Sequence, residues 1–162
     1  MKKLKIYLDT SVISYLKQNP DLEKMNTTLK LWDKIKTGDY DVVISDVAIA
    51  ELSQCEENKR NHLWNMLGQI NYSLMRETPE TIALAHRFIE QNVLTKKSLN
   101  DCRHIACAVV AGCDIITSWN FKHMVNVRTV NGVKIINMME GYRTVEIYPP
   151  TMLVEGEEGE EE

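Results

Sequence analysis

Three short apolar runs, at residues 4–8 (LKIYL), 42–45 (VVIS) and 114–118 (DIITS), set the fold class of this chain. Each is too short for a core helix, the second and third are rich in β-branched residues, and each gives way to polar residues and then to a helical pattern. Uninterrupted apolar runs of this length are what strands look like when a sheet is covered on both faces, the usual state of parallel sheets. Strands alternating with helices therefore predict an α/β fold, a mostly parallel layered sheet with helices on both sides. In such sheets ligands bind at the carboxyl ends of the strands, where the strand order reverses.

The helices are legible from their periodicity. Between residues 21 and 36, Leu22, Met25, Leu29, Trp32 and Ile35 recur every three or four positions. Thr10 and Ser11 are suited to cap the segment after the first strand, and Ser45 and Asp46 the segment after the second. The stretch CEENKRN reads as a solvated helical face or a bend, and HLWNMLGQI restores an apolar face. NYSLMRE is a weaker strand that ends at the helix-start signal Thr78-Pro79, followed by a helix with Ile82, Ala85, Phe88 and Ile89 on one side. The most apolar helix is SLNDCRHIACAVVAGC, closed by Gly112. VKIINMMEGY reads as helical, and TVEIY as a last strand stopped by Pro149-Pro150. This organisation predicts one domain over residues 1–150 and an acidic, disordered tail over 151–162.

Charge divides the chain in the same way. The formal total is −4, but the last eight residues, EGEEGEEE, hold six glutamates, so the rest of the chain carries +2. That run is too polar and glycine-broken to pack; it is either plain solvated tail or a segment that mimics nucleic acid or meets a partner. The basic start MKKLKIYLDT lacks the apolar region of roughly 7–15 residues of a signal peptide, and no run approaches the ~20 residues of a membrane span. A cytoplasmic protein is expected. Four cysteines (Cys55, Cys102, Cys107, Cys113) invite a zinc reading because three share a helix with His104. Cys102 and His104 are only two apart, however, and point away from each other on a helix, and there is no Cys-x-x-Cys. Reduced core thiols are the preferred reading.

Three acids recur at the places where an α/β sheet builds its site. Asp9 ends the first strand. Glu51 lies in SDVAIAELSQ, among apolar residues that a solvent-facing glutamate would not keep over so many positions. Asp101 opens the helix SLNDCRHIACA. Each has an ordinary alternative: Asp9 as a strand-end or capping residue, Glu51 on the exposed side of a mostly buried helix, and Asp101 in a capping-box-like pair with Ser98. Together they imply more. Three converging carboxylates repel one another and raise at least one pKa unless a cation joins them. Oxygen-only ligands suit a hard divalent ion, Mg2+ or Mn2+, which can activate water and steady the charge that develops on a phosphodiester under attack.

YLDTSVIS, ISDVAIAEL, LNDCRHIACA and DIITSWNFKHM, in this order and spacing over roughly residues 4–150, resemble the PIN-domain family, and more narrowly the VapC-like ribonuclease toxins of type II toxin–antitoxin pairs. The resemblance implies a three-layer α/β/α sandwich and a Mg2+- or Mn2+-dependent RNA endonuclease. Asp9, Glu51 and Asp101 stand at its acidic metal positions, an antitoxin protein is the implied partner, and the family's habit implies a homodimer. Trp64, Met66 and Leu67 are apolar candidates for the dimer surface. Where many relatives carry a fourth acid this chain has Asn120, with His123 three residues on. An amide oxygen can coordinate a hard cation or orient water but adds no charge, which leaves one or two metals open. Thr10, Ser11 and Ser118 could orient ligands. Arg103, Lys122 and His123, with Lys96, Lys97 and Arg128, could meet RNA phosphates, and Trp119 could stack a base. Two rivals stand beside this reading. A haloacid-dehalogenase-type phosphotransferase would need an aspartate where Ser11 stands. A PIN-like module without catalysis would only bind RNA or a protein.

Overall fold

The computed structural model describes residues 2–17 and 20–154. Five strands, β1 (Leu4–Leu8), β2 (Tyr40–Ser45), β3 (Ser73–Met75), β4 (Ile115–Thr117) and β5 (Glu146–Tyr148), form one sheet in the order β3-β2-β1-β4-β5, every pair parallel. The helices among them are α1 (Thr10–Ser14), α2 (Leu22–Lys36), α3 (Asp46–Leu52), α4 (Glu57–Leu67), α5 (Pro79–Glu90), α6 (Leu99–Val110), α7 (Val127–Glu140) and α8 (Thr151–Val154), with a 3-10 turn at Lys96–Ser98.

The two-residue period of the strands assigns the layers. Ile6 and Leu8 of β1, Val42 and Ile44 of β2, and Ile115 of β4 pack on one face with Val12, Leu31, Trp32, Leu52 and Leu63 from α1 to α4. Tyr7, Val43, Ile116 and Ile147 point the other way, into a core with Leu84, Phe88, Ile105, Ala108 and Val133 from α5 to α7. The result is the three-layer α/β/α sandwich expected from the alternation.

The chain leaves β1 toward β2 on one side and later returns to β4 on the other. The crevice at the carboxyl ends of β1 and β4 is thus the point where the strand order reverses, the place where open α/β sheets bind ligands. Asp9 follows β1 directly, and its N–H donates to the carbonyl of Thr117 in β4 (3.2 Å).

Several expectations shift. Thr10 is the first residue of α1, whose N-cap position is Asp9, and no side chain caps that helix. Ser45 does cap α3, accepting from Ala48 N, whereas Asp46 accepts from Glu77 N. Ile82 is 46% exposed, because α5 buries Thr81, Leu84, Ala85 and Phe88 instead. Helix α7 starts at Val127, earlier than its apolar pattern suggests, because Asn126 caps it by accepting from Thr129 N. Folded structure also passes residue 150: α8 buries Leu153 and Val154 against the α2 face, so the assigned tail begins as a helical turn. The glutamate-rich run at 155–162 lies outside the described residues. Leu67 belongs to the core, with Trp64 and Met66 half-buried against it. All four cysteines are free, and burial pushes the thiols of Cys102, Cys107 and Cys113 up to about 12, which keeps them protonated. No described helix is long and apolar enough to cross a membrane.

Candidate active site

Asp9 is 4% exposed. A carboxylate this buried needs donors, and two serines supply them: Ser118 Oγ (2.6 Å) and Ser11 Oγ (2.8 Å) both donate to Oδ2. These hydroxyls also fix the loop after β4, since Trp119 N donates to Ser11 Oγ and Asn120 N to Ser118 Oγ. Ser11 and Ser118 therefore orient Asp9.

Glu51, on the last turn of α3, is half-buried, and its Oε1 accepts from His104 Nε2 at 2.7 Å. The same nitrogen lies 3.7 Å from Asp9 Oδ1 and 3.3 Å from Thr10 Oγ1. Behind the ring, Nδ1 meets Tyr7 Oη (2.5 Å), which meets Ser45 Oγ (2.6 Å), which accepts from Ala48 N. A carboxylate only accepts, so Nε2 carries a proton toward Glu51 whatever the charge of the ring. Nδ1 then accepts from Tyr7 when the ring is neutral and donates to it when charged. Burial opposes the imidazolium, but the Glu51 hydrogen bond and the charges of Asp9, Glu51 and Asp101 outweigh it and raise the pKa of His104. Burial likewise works to raise Glu51, yet the His104 bond and charge hold it below the usual carboxylate range.

His104 thus sits among the acids as a basic group whose charged form they favour, a role the sequence reading did not give it. The signal was there: Asp101 and His104 are three apart on α6 and share a face.

Asp101 is placed by the first turn of α6. Ser98, its supposed capping partner, makes no side-chain cap bond, so the helix-cap explanation lapses. Burial, then the negative charge of Asp9, push the Asp101 carboxyl upward; Glu51 adds to this, while His104 and His123 oppose it. Asp101 thus lies within electrostatic reach of Asp9 and Glu51. Asn120 turns its amide N–H2 toward Asp101 Oδ1 (3.4 Å), because its Oδ1 already accepts from His123 N (3.0 Å). As placed, it offers the site a donor and not a ligand oxygen.

The expected phosphate-binding residues separate. Arg103 forms a two-pronged pair with Glu77, through Nε (2.9 Å) and Nη2 (2.5 Å), and its third nitrogen reaches Asn100. It braces α6 against the segment before α5 and is occupied. Lys122 is exposed and His123 half-exposed just past Asn120. Trp119 is buried, its indole N–H donating to Thr28 Oγ1 (2.9 Å), so it is core and not a stacking platform.

The donor set of Asp9, Glu51 and Asp101 suits a hard cation, and the raised Asp101 carboxyl marks negative charge that a cation would relieve. Among the described residues no three His, Cys, Asp or Glu side chains stand in ligating geometry; Glu51 is engaged by His104 and would have to turn to join a metal.

Against curated proteins the chain finds no match. In the solved structure of VapBC2 from Rickettsia felis bound to a DNA fragment from its promoter, one chain aligns with a TM-score of 0.57 at 11% identity, over 90% of this chain and 98% of that one. At that identity the likeness speaks for the fold. A family model described as the PIN domain matches residues 6–120, from the middle of β1 to the asparagine beside Asp101, and with that span the chain belongs to the PIN domain family.

Proposed function

We propose that the protein is a divalent-metal-dependent endoribonuclease and the toxin of a toxin–antitoxin pair. The observation that supports this most is the geometry at the strand-order reversal: His104 Nε2 lies 2.7 Å from Glu51 and 3.7 Å from Asp9, and Asp9 is linked through Ser118 and Asn120 to Asp101. Family membership and the likeness to a chain of a VapBC complex support it. Asp9, Glu51 and Asp101 would hold Mg2+ or Mn2+, which when bound supplies an activated water and charge neutralisation at the scissile phosphate. Ser11 and Ser118 keep Asp9 in one orientation, and His104 holds Glu51 while the site lacks a cation. The Asn120 amide donates toward Asp101 without adding charge. An antitoxin covering the site, a homodimer and a cytoplasmic setting belong to the same reading.

The test is cleavage of single-stranded and structured RNA. Activity should vanish with EDTA, return with Mn2+ or Mg2+, and be absent in Asp9→Asn. Cleavage indifferent to chelation would exclude the metal mechanism. The second reading, a PIN-like module that binds without cutting, is favoured by the His104–Glu51 pair, which satisfies one acid from inside the protein. It requires that no Mn2+ site depend on Asp9, which calorimetric titration of wild type and Asp9→Asn decides.

A further inference from the structure

The cations near the site divide sharply. Arg103 is paired with Glu77, but Lys96, Lys122 and Arg128 pair with no carboxylate among the described residues. All three line two adjoining hollows of about 160 and 230 Å3, which share Leu94, Thr95 and Arg128 and so form one groove. The groove runs between the segment around the 3-10 turn and the start of α7. No Asp or Glu lines it, although the chain as a whole is acidic. Arg128 is fixed by a bond from Nη2 to the Asn92 carbonyl (3.0 Å), so one cation is already held in place.

Two of its wall residues reach toward the acids. Ser98 lies three residues before Asp101, and the His123 N–H donates to Asn120 Oδ1 (3.0 Å), whose amide N–H2 in turn faces Asp101 Oδ1 (3.4 Å). Val93 and Leu94 give it an apolar floor, while Thr95 and Asn126 add polar groups. Hollows of about 160 and 230 Å3 are on the scale of single nucleotides, which suits the backbone of one strand.

We propose that this groove is the track for single-stranded RNA on one side of the cut bond, with Lys96, Lys122 and Arg128 each meeting a backbone phosphate. The proposal rests on the nuclease reading and assigns its substrate path. A larger hollow of about 550 Å3 at the amino ends of the strands carries Lys3, Lys5 and Lys36, but it suits a phosphate backbone less. There Lys5 Nζ is bonded to the Ala111 carbonyl (2.6 Å), Lys36 pairs with Asp33 (3.4 Å), and Asp41 is in the wall.

The experiment measures binding of a labelled single-stranded RNA by fluorescence anisotropy in EDTA, over a range of salt. It compares wild type, the groove variant Lys96→Gln/Lys122→Gln/Arg128→Gln, and a charge-matched control, Lys2→Gln/Lys3→Gln/Lys36→Gln. Three lost phosphate contacts should flatten the log–log salt slope by about 2 and weaken binding on the order of tenfold or more, with the control unchanged. An unchanged Mn2+-induced melting shift in the groove variant would show that its acid site is intact. Wild-type binding by the groove variant, or equal loss in both variants, overturns the track and leaves the nuclease reading standing. Groove-dependent binding by a wild type that never cuts RNA with Mn2+ keeps the track and removes the nuclease reading.

Discussion

His104→Leu tests whether an imidazole built into α6 substitutes for a cation in the acid cluster. The side chains are similar in size, so the change removes two hydrogen bonds and a charge without opening a large cavity. Hydrogen bonds to charged groups contribute about 1.5–3 kcal/mol, but the Glu51 side chain is 35% exposed and water takes over part of the lost interaction. Discounted for this screening, the contribution falls to about 1–1.5 kcal/mol. The Tyr7 hydroxyl, fully buried, loses its hydrogen bond with Nδ1 and keeps only Ser45. A buried polar group left short of a partner costs about 1–3 kcal/mol. The sum, roughly 2–4 kcal/mol, lowers the melting temperature by about 4–16 °C for a domain of this size.

The decisive quantity is the response to metal. Without His104 the carboxylates of Glu51 and Asp9 have lost their internal cation, so Mn2+ relieves more repulsion in the variant than in wild type. Thermal melts in EDTA and in Mn2+ should therefore show a larger metal-induced gain in His104→Leu. An equal or smaller gain would refute the idea that His104 and metal serve the same acids.

Linkage gives the same pair a pH signature. The raised pKa of His104 means its stabilising contribution is complete below 6.5 and is lost as pH rises through its folded value. Metal-free wild type should therefore lose melting temperature as pH climbs past 6.5, and His104→Leu should lack that decline. Asp101→Asn should abolish RNA cleavage while making the metal-free protein more stable at neutral pH, since the carboxyl is disfavoured by burial and by Asp9 and caps nothing through Ser98. Loss of helix-start charge opposes this by only about 0.3–1 kcal/mol, and a less stable variant would count against repulsion between Asp101 and the other two acids. Away from the site, Asn137 is fully buried with neither amide atom partnered. Asn137→Leu should raise stability by about 1–3 kcal/mol in urea unfolding.

The strands, the parallel sheet and the acid positions were legible because each rests on local pattern. Short apolar runs, apolar residues every three or four positions, and acids just after a strand or near a helix start survive as sequence signals without knowledge of tertiary contacts. What escaped depends on partners distant in sequence. In sequence His104 stands out only as a possible zinc ligand beside Cys102, because its partners, Tyr7 and Glu51, are 97 and 53 residues away. Arg103 looked free in sequence, but Glu77 holds it from across α5. Trp119 sits in the loop at the crevice, where a stacking role was plausible, yet it is anchored through Thr28 on α2. The Ser98–Asp101 pair has capping-box spacing. However, Ser98 closes a 3-10 turn, and its backbone (φ −102°, ψ 26°) departs from the extended shape an N-cap residue typically takes.

Asn120 and His104 alter the charge of the site in the same direction. A fourth acid beside Asp101 would add repulsion to a carboxyl already pushed up by Asp9 and Glu51; Asn120 instead points a donor at it. His104 places a basic group within reach of two of the remaining three acids. Both lower the electrostatic cost of folding without metal, and both lower the charge available to draw a cation in. If wild type binds Mn2+, the site's net charge is therefore enough for one ion held by Asp9, Asp101 and a released Glu51 rather than two. Titration should then give a stoichiometry of one, and Asn120→Asp should tighten binding while lowering metal-free stability. A second tight ion in wild type would show that the amide and the imidazole do not limit the site.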